Sequence, residues 1–167
     1  MLNFLFRGLT AESASGAALF DAVTREARRP SWYREGAIPD TLDGRFAVLA
    51  TILALVLVRL ERERAAGNRA SVELTERFIE VMESEHRELG LGDPTLGRTM
   101  RKLVTMLANR TELWRSAGGD WIGAANQSLY KGEAPARALH DSAGALENLS
   151  RRLDATSLRA LRQGKIA

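Results

Sequence analysis

The sequence contains no cysteine, only two histidines and only three lysines. Without thiols there is no disulfide scaffold, zinc–thiolate site, iron–sulfur cluster or cysteine nucleophile. His86 and His140 alone do not furnish a histidine-rich metal centre. Four prolines and 6% aromatics disfavour a sandwich of short strands. No apolar run reaches the roughly 20 residues that span a bilayer. The strongest, FAVLATILALVLV at Phe46–Val58, is flanked by Asp43 and Arg45 before it and by Arg59, Glu61, Arg62, Glu63 and Arg64 after it, so a buried core helix is expected. The opening MLNFLFRGL is apolar but has no basic start and no small-residue cleavage site, so no signal peptide is expected. A GxGxxG fingerprint, a GxxxxGK[ST] loop, a GxSxG elbow and an HExxH pair are all missing. These absences make an enzyme the weakest functional class.

What is present suits a folded protein. Apolar residues make up 45% and charged residues 27% of the 167 positions, the balance of one globular domain spanning residues 1–167. The net charge is only +3 although the sequence pI is near 9.8. Lysine occurs only at 102, 131 and 165, so arginine supplies nearly all the cations. Codon bias explains that, as does a need for forked donors to carboxylate or phosphate. The charges are segregated: residues 70–93 carry seven carboxylates against two arginines, whereas 95–115 carry five bases against Glu112 and 149–167 five bases against Asp154. An acidic arm facing a basic arm is expected, not the uniform stripe of a nucleic-acid binder, and no sequence-specific nucleic acid is expected as a partner.

Every long periodic segment reads as helix. Thr10 is expected to cap a first helix to Arg29, with Leu19, Phe20, Val23 and Ala27 as its stripe. Residues 30–41 read as a loop punctuated by Pro30, Gly36 and Pro39. Asp40 or Thr41 then caps a helix over about 42–65, apolar nearly all round and therefore central, with Gly67 ending it. A third helix runs from a Ser71 cap through Leu89 with Leu74, Phe78, Val81, Met82 and Leu89 inward. Asp93 caps a fourth, with Pro94 as its first residue and Leu96, Met100, Leu103, Leu107 and Trp114 as its stripe. A break at 116–120, a short helix Trp121–Tyr130, a helix from Pro135 to Leu153 and a last turn or two at 157–163 complete an all-α bundle of six to seven helices.

Candidate chemistry is sparse. Glu73, Glu76, Glu80 and Glu83 share one helix face, a pattern that fits a solvated face paired with Arg77 and Arg87 better than a cation site. Met82, Met100 and Met106 read as core fillers more readily than as haem ligands. Trp32 and Tyr33, ringed by Arg28, Arg29 and Arg34, either dock into the core or anchor a partner. Arg45 is a cation in the first turn of the central helix, where the helix dipole disfavours it, so it needs a carboxylate; Glu88 and Asp93 are the expected partners.

The string ARRPSWYREGAIPDTLDGRFAVL at 27–49 resembles the signature of the ubiquinol–cytochrome c chaperone family, assembly factors for cytochrome b of respiratory complex III. The residues that carry the resemblance are Ala27, Arg28, Arg29, Pro30 and Tyr33, then Pro39, Asp40, Thr41, Gly44, Arg45 and Phe46, with Arg59 and Leu60 closing the helix. A second block, Arg87, Glu88, Gly90, Gly92 and Asp93, matches the family's RE.G.GD element, and Gly97, Lys102 and Arg110 continue it. Ala47 and Thr51 stand where the family tends to have aspartate and histidine.

The resemblance implies a non-enzymatic chaperone without a cofactor or metal, cytoplasmic, with a peripheral contact on the inner face of the inner membrane. Its client would be newly made cytochrome b or another apolar membrane segment. A second assembly factor and the ribosome partner mitochondrial members of the family. The client surface is expected around Arg28, Arg29, Trp32, Tyr33, Asp40, Thr41, Asp43, Arg45, Phe46, Arg87, Glu88, Asp93, Arg98, Arg101, Lys102 and Arg110. A general helical interaction module and a small-molecule or haem-binding bundle are the alternatives.

Overall fold

The structure, a computed structural model, describes residues 16–167; the expected cap Thr10 lies outside them. The described residues are helical throughout, with no strand. Helix α1 occupies residues 16–27 and ends two residues short of Arg29, because Pro30 and a new turn follow. The segment expected as loop contains a one-turn helix, α2 (Ser31–Arg34). Then come α3 (Leu42–Glu61), α4 (Arg64–Glu88), α5 (Asp93–Ser116), α6 (Trp121–Tyr130), α7 (Ala136–Ala155) and α8 (Leu158–Arg162).

Helix α3 is the axis of the bundle. Every residue from Ala50 to Leu57 is buried, and α3 packs against α4, α5, α6 and α7. A sequence apolar on all sides has only such a position to occupy in a water-soluble fold. Thr41 caps it, its Oγ1 accepting from the Gly44 N–H at 3.2 Å, and Asp43 places a carboxylate in the first turn where the dipole favours it.

The junction after α3 departs from expectation. The helix ends at Glu61, and Arg64 turns the chain with φ of 51°, so the break falls earlier than Gly67. Gly67 instead lies inside α4 and is buried. A Cβ there would stand 1.9 Å from the Leu60 carbonyl oxygen, so the glycine lets α4 cross closely over the end of α3. Ser71, expected as a cap, is an interior residue of α4. At the next junction Gly92, not Asp93, holds the cap position, which places Asp93 and Pro94 inside the first turn of α5.

Helices α4, α5 and α7 each turn one apolar face to the core: Leu74, Phe78 and Met82; Leu96, Leu107 and Trp114; Ala143, Leu146, Leu149 and Leu153. Polar ties fix the packing. Thr51 and Ser128 hydroxyls meet at 2.6 Å in the core, and the Trp114 indole N–H donates to the Ser128 oxygen at 3.3 Å. Arg59 is buried at 8% exposure; it donates to the Leu153 and Thr156 carbonyls at 3.1 and 3.0 Å and pairs with Glu63 at 2.9 Å. One side chain thereby ties the end of α7 to the α3–α4 junction. Among the described residues no helix is long and apolar enough to cross a membrane.

Candidate functional site

An open cleft of about 1460 Å³ lies between α1, α2, the start of α3, the end of α4 and the middle of α5. Phe20, Phe46, Leu49, Met82 and Leu103 supply its apolar lining. Its mouth is apolar as well. Among the described residues five large hydrophobic side chains are exposed, and three of them line this cleft: Leu42 at 74%, Leu89 at 67% and Met106 at 36%. Exposed apolar residues gathered at one concavity mark a binding surface, unlike the same residues scattered singly.

The wall formed by residues 27–46 is built from short-range contacts. The Trp32 indole N–H donates to the Glu26 carbonyl at 2.9 Å, and its ring is only 3% exposed, so Trp32 is core, not surface. The half-buried Tyr33 faces the cleft and donates its hydroxyl to the Ala27 carbonyl at 3.1 Å. Burial, then the Asp40 charge, push the Tyr33 phenol above its ordinary pKa. Gly44 sits where the Pro39 carbonyl presses on the first turn of α3: a Cβ at Gly44 would stand 1.9 Å from that oxygen.

Arg45 does find a carboxylate, but it is Asp40, with Nε 2.6 Å from Oδ1, and not Glu88 or Asp93. Five residues of chain place Asp40 across the α3 cap from Arg45, closer than either residue of the distant turn. The hydrogen bond from Arg45 holds the Asp40 carboxyl below its ordinary pKa and, with the Asp40 charge, raises the Arg45 guanidinium above its own. Asp93 pairs instead with Arg87 at 3.6 Å, and Arg87 also holds Glu83 at 3.1 Å. The two sequence blocks nonetheless meet in space, because Arg45 and Glu88 line the same cleft.

Of the other expected residues, Arg28, Asp40, Asp43 and Phe46 line the cleft. Thr41 is an exposed cap beside it, and Arg29 pairs with Glu26 at 2.8 Å. Arg98, Arg101 and Lys102 are exposed on α5 and do not line the cleft. They pair with no carboxylate of α4, whose Glu73, Glu80 and Glu83 are held by Arg162, Arg77 and Arg87. Arg110 lies behind the cleft, its guanidinium 5.9 Å from the Phe46 ring centroid and donating to the Ser128 carbonyl at 3.2 Å. Burial lowers its pKa from the ordinary arginine value.

The sequence reading misses Leu42, names Arg34 only as a neighbour of Trp32 and Tyr33, takes Met106 for a core filler and assigns Leu89 to the inner face of α4, whereas all four line the cleft. Leu42 and Leu89 occupy helix ends, where periodicity no longer tells core from rim. His86 also lines the cleft, its Nδ1 2.7 Å from the Met82 carbonyl. Among the described residues no cluster of three histidine, aspartate or glutamate side chains is arranged to hold a metal ion.

Comparison with known proteins matches this architecture. The sequence model of the ubiquinol–cytochrome C chaperone family matches residues 34–167. The fold is similar to the crystal structure of the Cbp3 homolog from Brucella abortus, with a TM-score of 0.79 and 25% identity over 100% of this chain and 96% of that one. No curated protein matches.

Proposed function

This chain belongs to the ubiquinol–cytochrome C chaperone family, and on that premise we propose that it binds newly made cytochrome b and shields an apolar segment of it while the ubiquinol–cytochrome c reductase complex is assembled. The observation that carries this reading is the cleft whose exposed rim residues, Leu42, Leu89 and Met106, are themselves apolar. A membrane polypeptide caught before it is assembled presents apolar side chains to water. Covering them with Phe46, Leu49 and the rim removes that surface at about 25 cal/mol per Å². No bond is made or broken. The protein works by holding its client, and the guanidinium groups of Arg28, Arg34 and Arg45 keep the unoccupied cleft hydrated at its edge.

The site sits where the 27–46 and 87–93 blocks converge, so their retention in one chain follows from a shared surface and not only from helix capping. Trp32 acts from below by anchoring α2. In this reading the protein is cytoplasmic and touches the inner membrane only peripherally, where its client emerges. Deletion of the encoding gene tests it. The expected result is loss of ubiquinol–cytochrome c reductase with other respiratory complexes retained, restored by the wild-type chain and not by Leu89→Asp. An unchanged reductase level would refute the proposal. Co-purification of the chain with a different protein, and not with cytochrome b, would make it a general interaction module.

A further inference from the structure

The ionisable groups around the cleft are not mixed at random. Asp40 and Arg45 neutralise each other, and Arg77 is held by Glu80. Among the described residues, six charged side chains of the cleft lining have no ionic or hydrogen-bonding partner: Arg28 and Arg34 at the end of α1 and on α2, Asp43 on α3, Glu85 and Glu88 on the last turn of α4, and Asp21 on α1. Asp21 shares the α1–α2 end with the two guanidinium groups, so that end carries two cations against one carboxylate, whereas the α3–α4 side carries three unpaired carboxylates. An apolar segment with charges at its ends would meet a cationic wall and an anionic wall.

We propose that the cleft orients its occupant: it takes an apolar helical segment that carries an acidic flank and a basic flank, the acidic flank lying against Arg28 and Arg34 and the basic flank against Asp43, Glu85 and Glu88. This rests on the reading of the cleft as the client site. The apolar contacts supply affinity without direction, since a leucine-rich helix packs as well either way round. The rim charges supply direction, because reversing the segment sets like charges opposite each other. Exposed ion pairs are individually weak, so a few acting together give a preference of about tenfold at low salt. That preference shrinks as the screening length falls.

The test uses the full-length chain and a synthetic leucine–alanine helix, about 24 Å long at roughly 16 residues. Two glutamates stand at one end and two lysines at the other, and a photoreactive group is attached beside the glutamates. Mass spectrometry locates the cross-links. The expected result is about tenfold more label on residues 28–34 than on residues 84–89, abolished by high salt. The label moves to 84–89 in the charge-swapped chain carrying Arg28→Glu, Arg34→Glu, Glu85→Arg and Glu88→Arg. Equal labelling of the two walls, or a pattern unchanged by the swap, would overturn the orientation. The peptide's binding is measured separately by fluorescence anisotropy against Leu89→Asp. No binding to the wild-type chain, or binding indifferent to Leu89→Asp, would overturn the client-site reading itself.

Discussion

Replacing Gly44 by alanine separates helix propensity from packing at the cleft wall. Alanine favours the helix by at most about 1 kcal/mol over glycine. The added Cβ, however, would stand 1.9 Å from the Pro39 carbonyl oxygen, where ordinary contacts begin near 3.4 Å, so residues 39–41 must retreat by roughly 1.5 Å. Such overpacking costs about 1–3 kcal/mol. The retreat also pulls Thr41 from the Gly44 N–H, a cap worth about 1 kcal/mol. The net expectation is a loss of about 1–3 kcal/mol, or roughly 4–8 °C in Tm for the middle of that range in a chain of this size. Gly144→Ala is the control, an exposed position inside α7 with no atom within 4 Å of the added carbon. It should raise Tm by about 2–4 °C. Thermal unfolding followed by circular dichroism at 222 nm compares the two. A Gly44→Ala chain as stable as wild type, or a shift of both variants in one direction, would refute the argument that the Pro39 carbonyl fixes the start of α3.

Arg59→Met should lower urea-unfolding stability by about 2–4 kcal/mol, because it leaves the Thr156 carbonyl unpaired, leaves the Leu153 carbonyl with the Thr156 N–H as its remaining donor, and leaves Glu63 without its partner; a loss under 1 kcal/mol would contradict the assigned tie. Glu61→Gln should show a pH signature. Hydrogen bonds from Arg115, one of them at 2.9 Å, hold the Glu61 carboxyl below its ordinary pKa. A depressed folded-state pKa means the pair stabilises above the unfolded value and is lost as pH falls through the folded one. The variant's deficit relative to wild type is therefore expected near neutral pH and should shrink in the acid range; a deficit constant with pH would contradict it. Truncation of Leu89, 67% exposed, should remove client binding while leaving Tm within about 2 °C, since surface changes rarely exceed about 0.5 kcal/mol.

The helical bundle and its central helix were legible because hydrophobic periodicity is a property of the chain itself. The apolar run at 46–58 reads as a buried helix in preference to a membrane span because it is too short and charged residues flank it on both sides. Helix ends were less legible. Gly67 looked like a stop, yet the structure uses it for close approach to Leu60, and glycine carries both meanings until the neighbour is known. Residues 31–34 showed no periodicity, because one turn is too short to display it. Within the site, the expectation that Arg45 needs a carboxylate followed from the helix dipole, whereas its partner depended on the path of the chain around the α3 cap. Trp32 had two compatible readings, and the Glu26 carbonyl beneath it decides for the core. Leu42 and Leu89 joined the cleft because α3 and α4 form a hairpin that brings the start of one beside the end of the other, an adjacency set by the turn at Arg62–Arg64.

A photoreactive amino acid placed at the mouth of the cleft in living cells reveals what the cleft holds. Leu89 is the position, and Val72, exposed at 56% but outside the cleft lining, is the comparison. Shielding of an unassembled client predicts that position 89 cross-links to cytochrome b and that position 72 does not. Equal capture from both positions, or capture at position 89 without cytochrome b, would contradict it.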